Sequence, residues 1–401
     1  MDFTFSRIAF CLILVLNFSG GTAVRAEDTG RISLFLCGDV MTGRGIDQIL
    51  PHPGDPALHE PYMRSAVGYV EIAEQVNGPI PDQGDFSYIW GDALSELEQS
   101  APDLRIINLE TSITDSDESW PGKGIHYRMH PENTPCITAA DIDLAVLANN
   151  HVLDWGYGGL TETLVSLSRH RVRTVGAGES ASEASSGTIF DIPGTGRVIV
   201  FAAGHGSSGI SGRWAAGRES AGVHYLADLS DREIDSIKER IEAVKRPGDA
   251  VIFSVHWGGN WGYRIPREHR RFARALIDEA GVDIIYGHSS HHPMGIEVYN
   301  RKLVLYGCGD FINDYEGIGG HEEYKPDLAL MYLPEIELGS GDLVSLRMVP
   351  FRIKKFRLHY ADNGDAAWLE ERLGRECRKL GTGIIRREGR GGKPEELMLQ
   401  W

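Results

Sequence analysis

Apolar residues along this chain fall into short runs separated by stretches with helical spacing, and that alternation dominates its first two thirds. Arg31–Cys37, Leu104–Asn108 and Leu144–Ala148 read as buried strands. Between and around them, residues 64–76 and 87–99 and the segment Gly158–His170 read as helices. Leu94 and Leu97 share a face in the second, and Leu160, Leu164 and Leu167 share one in the third. Two alternating runs flank Pro193-Gly-Thr-Gly196, which predicts a hairpin over 188–201. Ala250–Val255 and Val282–Tyr286 are further strands, flanked by helices over Asp231–Val244 and Arg267–Ala280. A second hairpin turns at Asn300-Arg301, and Asp327–Leu338 and Leu343–Phe356 continue as antiparallel strands. Strand–helix units that give way to hairpins predict an α/β fold with a mixed sheet, or two packed sheets, under outer helices. From residue 360 the expectation is a charged helix, then a solvated Gly/Arg-rich segment, Arg386–Lys393.

The first 26 residues stand apart. Arg7, the apolar stretch Ile8–Leu16 and Val24-Arg-Ala26 before Glu27 have the layout of a secretory signal. The expectation is export to the periplasm or beyond, with an uncleaved, membrane-anchoring segment as the alternative. A net charge of −17 argues against nucleic acid as a partner, because such binding needs a basic face. It leaves room for an anionic substrate met by local arginines. Cys37, Cys136, Cys308 and Cys377 permit disulfides in an exported chain that is too large to need them, and Cys37 and Cys308 read as small buried strand residues rather than as a bridge.

The ends of the predicted strands carry the chemistry. Asp39 follows the first strand in Gly38-Asp-Val-Met-Thr-Gly-Arg44, and Glu110 follows the second in Asn108-Leu-Glu. Each reads either as a turn carboxylate or as a metal ligand. Leu147-Ala-Asn-Asn-His-Val-Leu-Asp154 is the sharpest motif: Asn150 offers a neutral oxygen ligand, His151 a proton-transferring imidazole, and Asp154 a carboxylate to orient it. His256 ends another strand as a candidate ligand. Gly287-His-Ser-Ser-His-His292 supplies more imidazoles than a turn needs, with His288 and His291 as the ligand candidates. Asp310 reads equally as an orienting group or a helix cap. Such a donor set suits one or two divalent ions of Mn, Zn or Fe better than Ca or Mg. Arg44, Arg128 and Arg264 lie near these loops as candidates for binding an anionic substrate. His52, His59, His170, His269 and His321 read as surface residues.

These motifs, with Val255-His-Trp-Gly258 and Tyr306-Gly-Cys-Gly-Asp-Phe311, resemble the CapA/PgsA family of poly-γ-glutamate capsule biosynthesis proteins, in order over roughly residues 31–355. That family is similar in fold to calcineurin-like metallophosphoesterases. The resemblance implies a four-layer α/β/β/α sandwich over residues 31–358, followed by a charged helix and tail over 359–401. It also implies that Asp39 is a first-metal ligand, Glu110 a bridge, Asn150 and His256 second-metal ligands and His151 a proton donor, with His288 and His291 completing the shell. Metallophosphoesterases begin Asp-x-His, whereas Met41 stands at that His position here. The implied function is capsule or exopolymer synthesis, through handling of an anionic polymer beside a membrane-bound synthase. A metal-dependent phosphoesterase acting on a phosphorylated substrate and a non-catalytic polymer-binding subunit are the alternatives.

Overall fold

In the first strand, Arg31–Val40, side chains leave alternately to two different cores, and the whole architecture follows from that alternation. Ile32, Leu34 and Leu36 face a second sheet, while Phe35 and Cys37 face helices. The computed structural model describes residues 30–81 and 84–401. The secretory-signal segment lies outside the described residues.

The first sheet is mixed. Arg31–Val40 runs parallel to Leu104–Leu109, which is followed outward by Leu144–Val146 and Arg173–Val175. On its other side lie the antiparallel strands Leu328–Glu337 and Leu343–Lys354. The second sheet is built on parallel Gly196–His205, Ala250–His256 and Ile284–His288, and the hairpin of Ile296–Tyr299 and Lys302–Leu305 extends it. The predicted hairpin over 188–201 is present, with Thr188–Ile192 paired to Gly196–His205.

Apolar side chains from both sheets, among them Leu34, Ile106, Val200, Ile252 and Tyr286, share one inner core. The outer face of the first sheet packs on helices Val67–Asn77, Asp92–Ser100 and Gly156–Arg169. The outer face of the second packs on Asp231–Glu242 and Arg267–Asp278, through Ile234, Ile237, Phe272 and Leu276. The order is helix, sheet, sheet, helix, the four-layer sandwich that the motifs implied.

Tyr286 ties the two sheets together across the inner core. Its hydroxyl donates to the Cys37 carbonyl at 2.5 Å and accepts from the Cys37 amide at 3.1 Å. The partner is needed because the pairing register between the first strand and Leu104–Leu109 shifts between Leu36 and Asp39. A backbone amide left unpaired there would be buried without water.

The segment beyond residue 358 corrects an expectation. Gly383–Arg387 and Glu396–Gln400 pair antiparallel and join the edge of the first sheet through Leu343–Lys354. Only the turn between them remains from the expected solvated stretch. Leu369, Leu373 and Cys377 of helix Asn363–Arg378, with Ile384, Leu397 and Leu399, enter the inner core. Residues 359–401 therefore extend the edge of the first sheet and add to the inner core. The four described cysteines are buried and unbridged, and Cys37 and Cys308 pack in the cores as their sequence suggested. His269 is not a surface residue: it is 4% exposed and lies flat on Trp257, with ring centroids 4.3 Å apart. Among the described residues no helix is long and apolar enough to cross a membrane.

Candidate metal centre

Parallel pairing brings the chemistry to one level. Asp39 sits opposite Asn108 in one sheet, and His256 sits opposite His288 in the other. The carboxyl ends of both sets of strands open on the same edge of the sandwich, where ligands gather in α/β folds. Close backbone approach permits this: a Cβ on Gly38 would lie 2.0 Å from the carbonyl oxygen of Gly309, so no larger residue fits.

Ligand atoms of Asp39, Glu110 and His256 all lie within 4.8 Å of one another, each residue fully buried or nearly so. The Asp39 carboxylate receives Asn108 Nδ2 at 2.8 Å and the Ser289 amide at 3.2 Å, and faces His288 Nδ1 at 3.0 Å. His256 Nε2 lies 2.9 Å from Asn150 Oδ1. Asn149, by contrast, is scaffold: it donates to Asn108 Oδ1 at 3.1 Å and to the Leu109 carbonyl at 2.8 Å.

One feature above all suits this group to a divalent cation. Nδ1 of His256 and Nε2 of His288, the nitrogens opposite those that meet Asn150 and Asp39, are buried without a hydrogen-bond partner. The carboxylates are crowded together in low dielectric. Burial and the charge of Asp39 push the Glu110 carboxyl well above the usual carboxylate range. Against the burial that would raise it, Asp39 is held below that range by its hydrogen bond and charge interaction with His288. A cation relieves this crowding. Neutral imidazole, carboxylate and amide oxygen together form the donor set of a borderline transition metal.

His151 stands beside this group, with Nε2 3.8 Å from Glu110 Oε1. Its Nδ1 is 2.6 Å from Asp154 Oδ2, which also accepts the Tyr127 amide at 2.7 Å. Asp154 thus orients the ring as its spacing predicted, and we assign the Nδ1 proton to that contact. The Tyr127 ring meets the imidazole edge-on at 4.5 Å. Burial pushes the imidazole down to about 4 despite the carboxylate, so it is neutral at pH 7.

Sequence reasoning missed one participant. Lys123 places its ammonium against Asp154, the Asn150 carbonyl and, at 3.1 Å, His151 Nδ1. It lies in an irregular loop that carries no motif, so only the fold reveals it.

The three arginines do not converge. Arg44 is 3% exposed, and its guanidinium binds Asp314 at 2.5 Å and Glu60 at 3.0 Å between the rings of Tyr69 and Tyr127. Arg128 is committed to Asp117 and to the carbonyls of Ser116 and Asp55, stacked 3.9 Å over Trp155. Both are structural, because each finds oxygen partners inside the fold. Arg264 alone is exposed, lining a cavity of about 360 Å³ with Trp257, Trp261 and His269. Among the clustered histidines, His288 meets Asp39 and His291 meets Asp310. His292 is held by Gly262 and packs on Tyr263 and Tyr324.

Residues 33–315 match the bacterial capsule synthesis protein family PGA_cap. A probable polyglutamine synthesis accessory protein of Mycobacterium tuberculosis is 46% identical over 357 residues, covering 89% of this chain and 94% of that protein. The PGA biosynthesis protein CapA of Bacillus subtilis is 28% identical over 77% of this chain and 72% of its own length. A solved phosphatase from Mycoplasma pneumoniae overlaps 80% of this chain and 93% of its own at 12% identity, with a TM-score of 0.40, a likeness too loose to bear on activity. From the family match and the 46% identity to a relative covered almost end to end, the chain belongs to the bacterial capsule synthesis protein family PGA_cap.

Proposed function

We propose that this protein is an exported accessory factor in the synthesis of a glutamate-type polymer, acting on the polymer chain at a metal-dependent acid–base site. The observation that carries this reading is the convergence of Asp39, Glu110, Asn150, His256 and His288 beside the oriented pair His151–Asp154, in a chain that aligns with a polyglutamine synthesis accessory protein along nearly its whole length. Export rests on the signal-like residues 1–26.

Asp39, Glu110, Asn150, His256 and His288 would hold a divalent cation, which supplies Lewis-acid polarisation of a carbonyl or phosphoryl oxygen. The chain's own contribution is positional. With Nδ1–H donated to Asp154, the free lone pair on His151 Nε2 faces the carboxylate group and would take the proton of a water that attacks the polymer's amide carbonyl. The same nitrogen then returns that proton to a leaving group. Lys123 fixes Asp154 from the other side and keeps the ring from turning. A membrane-bound synthase would be the partner that supplies the polymer.

The test is to incubate the manganese-loaded protein with poly-γ-glutamate and with polyglutamine, and to follow chain length by size-exclusion chromatography. The expected result is metal-dependent shortening or transfer, lowered about a hundredfold or more in His151→Gln. Binding that survives both chelation and His151→Gln, with no change in chain length, would overturn catalysis in favour of a polymer-holding role. Turnover of an aryl phosphate, lost in the same variant, would move the protein to the phosphoesterases.

A further inference from the structure

The rim beside the clustered histidines carries a different chemistry, aromatic and cationic. It begins in a glycine-rich loop. Gly262 adopts a φ of 110°, in the left-handed region that favours glycine, and its amide meets His292 Nε2 at 3.1 Å. Its chain neighbours are Trp261 and Tyr263. The Trp261 ring lies 5.3 Å from that of His291, and the Tyr263 ring 4.4 Å from that of His292. Tyr324 belongs to the loop between strands Asp310–Ile312 and Leu328–Glu337 and joins the two. Its ring is 5.3 Å from Trp261 and 5.4 Å from Tyr263. His321 of the same loop stacks on Trp261 with centroids 3.8 Å apart. All four rings are half-buried, so each keeps a face or an edge toward water.

The cation comes from the C-terminal helix, Asn363–Arg378. Leu369, Leu373 and Cys377, four residues apart, send one stripe of it into the inner core. Trp368 and Arg372, also four apart, form the neighbouring stripe. The Arg372 guanidinium stands 5.1 Å from the centre of the Tyr263 ring and 5.6 Å from that of Trp368. Among the described residues no carboxylate pairs with it, because Glu376 on the next turn is taken by Lys379 and Arg375. Arg44 and Arg128 find their oxygens inside the fold, whereas Arg372 is braced by ring faces alone. In a chain with 57 acidic and 40 basic residues, such a guanidinium is open to an anion from outside.

We infer that this rim is where the polymer lies beyond the unit at the metal centre, with its amides and methylenes on Trp261, Tyr263 and Tyr324 and a side-chain carboxylate on Arg372. The family match ends at residue 315, so Tyr324, Trp368 and Arg372 lie outside it, and the rim is largely built by the rest of the chain. This inference rests on the polymer reading above and adds to it the surface that holds the chain.

Chain length separates the rim from the centre. The manganese-loaded, full-length protein is titrated calorimetrically with γ-linked diglutamate and with long poly-γ-glutamate. The wild type is expected to bind the long chain more tightly per site. Arg372→Gln is expected to weaken the long chain about three- to tenfold and to leave diglutamate unchanged. Trp261→Leu should do the same. Circular dichroism establishes that each variant is folded, and Arg372→Gln, on a partly exposed helix position, decides the matter if Trp261→Leu is not. Long-chain affinity equal to the wild type in Arg372→Gln overturns the rim and leaves the polymer reading standing. An equal loss for both ligands overturns it too, because Arg372 would then act on the unit at the centre. A wild type that binds neither ligand overturns the polymer reading and the rim together.

Discussion

His151 and His256 are buried imidazoles whose burial holds them far below the ordinary histidine range, at about 4 and about 3. In the unfolded chain both titrate near 6.5. Between those values the unfolded chain takes up protons that the folded one refuses, so their contribution to stability is complete above pH 6.5 and is lost as pH falls toward 4. The loss is on the order of 2–3 kcal/mol per imidazole. Burial raises Glu110 and Asp310, which therefore run the other way, so the imidazole is read from the difference between wild type and variant. In chelator-treated protein, His256→Gln should flatten the fall in urea midpoint between pH 7.5 and 5; an unchanged fall would mean that His256 accepts its proton in place. At this scale the chain was legible wherever a motif surrounds the residue. Asn150-His151 with Asp154, and His256 and His288, stand where their spacing suggested. Arg44 and Arg128 do not act as expected, because nothing local reveals that Asp314 and Glu60, or distant carbonyls, wait for them inside the fold. Asp310 was ambiguous for the same reason: its role depends on which strands become neighbours.

Among the elements, the C-terminal strand pair departs most from its composition. Arginine, glycine and glutamate dominate 383–400, and such a stretch reads as solvated. The charges instead sit on one face, where Arg386 pairs with Glu370 at 2.6 Å and Glu395 at 2.5 Å, while Ile384, Leu397 and Leu399 face the inner core. An edge strand needs only alternate positions to be apolar, so few hydrophobic residues suffice to seat it. Leu397 is fully buried, and Leu397→Ala is expected to cost about 2–4 kcal/mol, measured by chemical unfolding. A cost near zero would mean that this edge contributes nothing to the fold. The longer helices and parallel strands were readable because each carries its own period. The short strands Ser112–Ile113 and Arg128–Met129 were not, since two residues hold no period to read.

Over the whole molecule, the two sheets are held in register by more than apolar contact. The Tyr286 hydroxyl satisfies the Cys37 backbone two residues before Asp39. Tyr286→Phe keeps the ring and removes that bridge, leaving a buried amide unpaired at a cost of about 1–3 kcal/mol. A lowered unfolding midpoint is expected, together with weaker metal binding, because the strand end that carries Asp39 loses its anchor; metal affinity equal to the wild type would show that the anchor does not reach the site. The change of strand–helix units into hairpins showed an α/β class with a mixed sheet or two packed sheets, and the four-layer order came from the family resemblance. The seam was not legible, because pairing between sheets leaves no trace in either one's own pattern. That seam also sets a timetable. Asp39 comes from the first strand of one sheet, and His256 and His288 come from the other. No chain that stops short of His288 contains the whole candidate centre, so strands of both sheets must be present before its donors can meet.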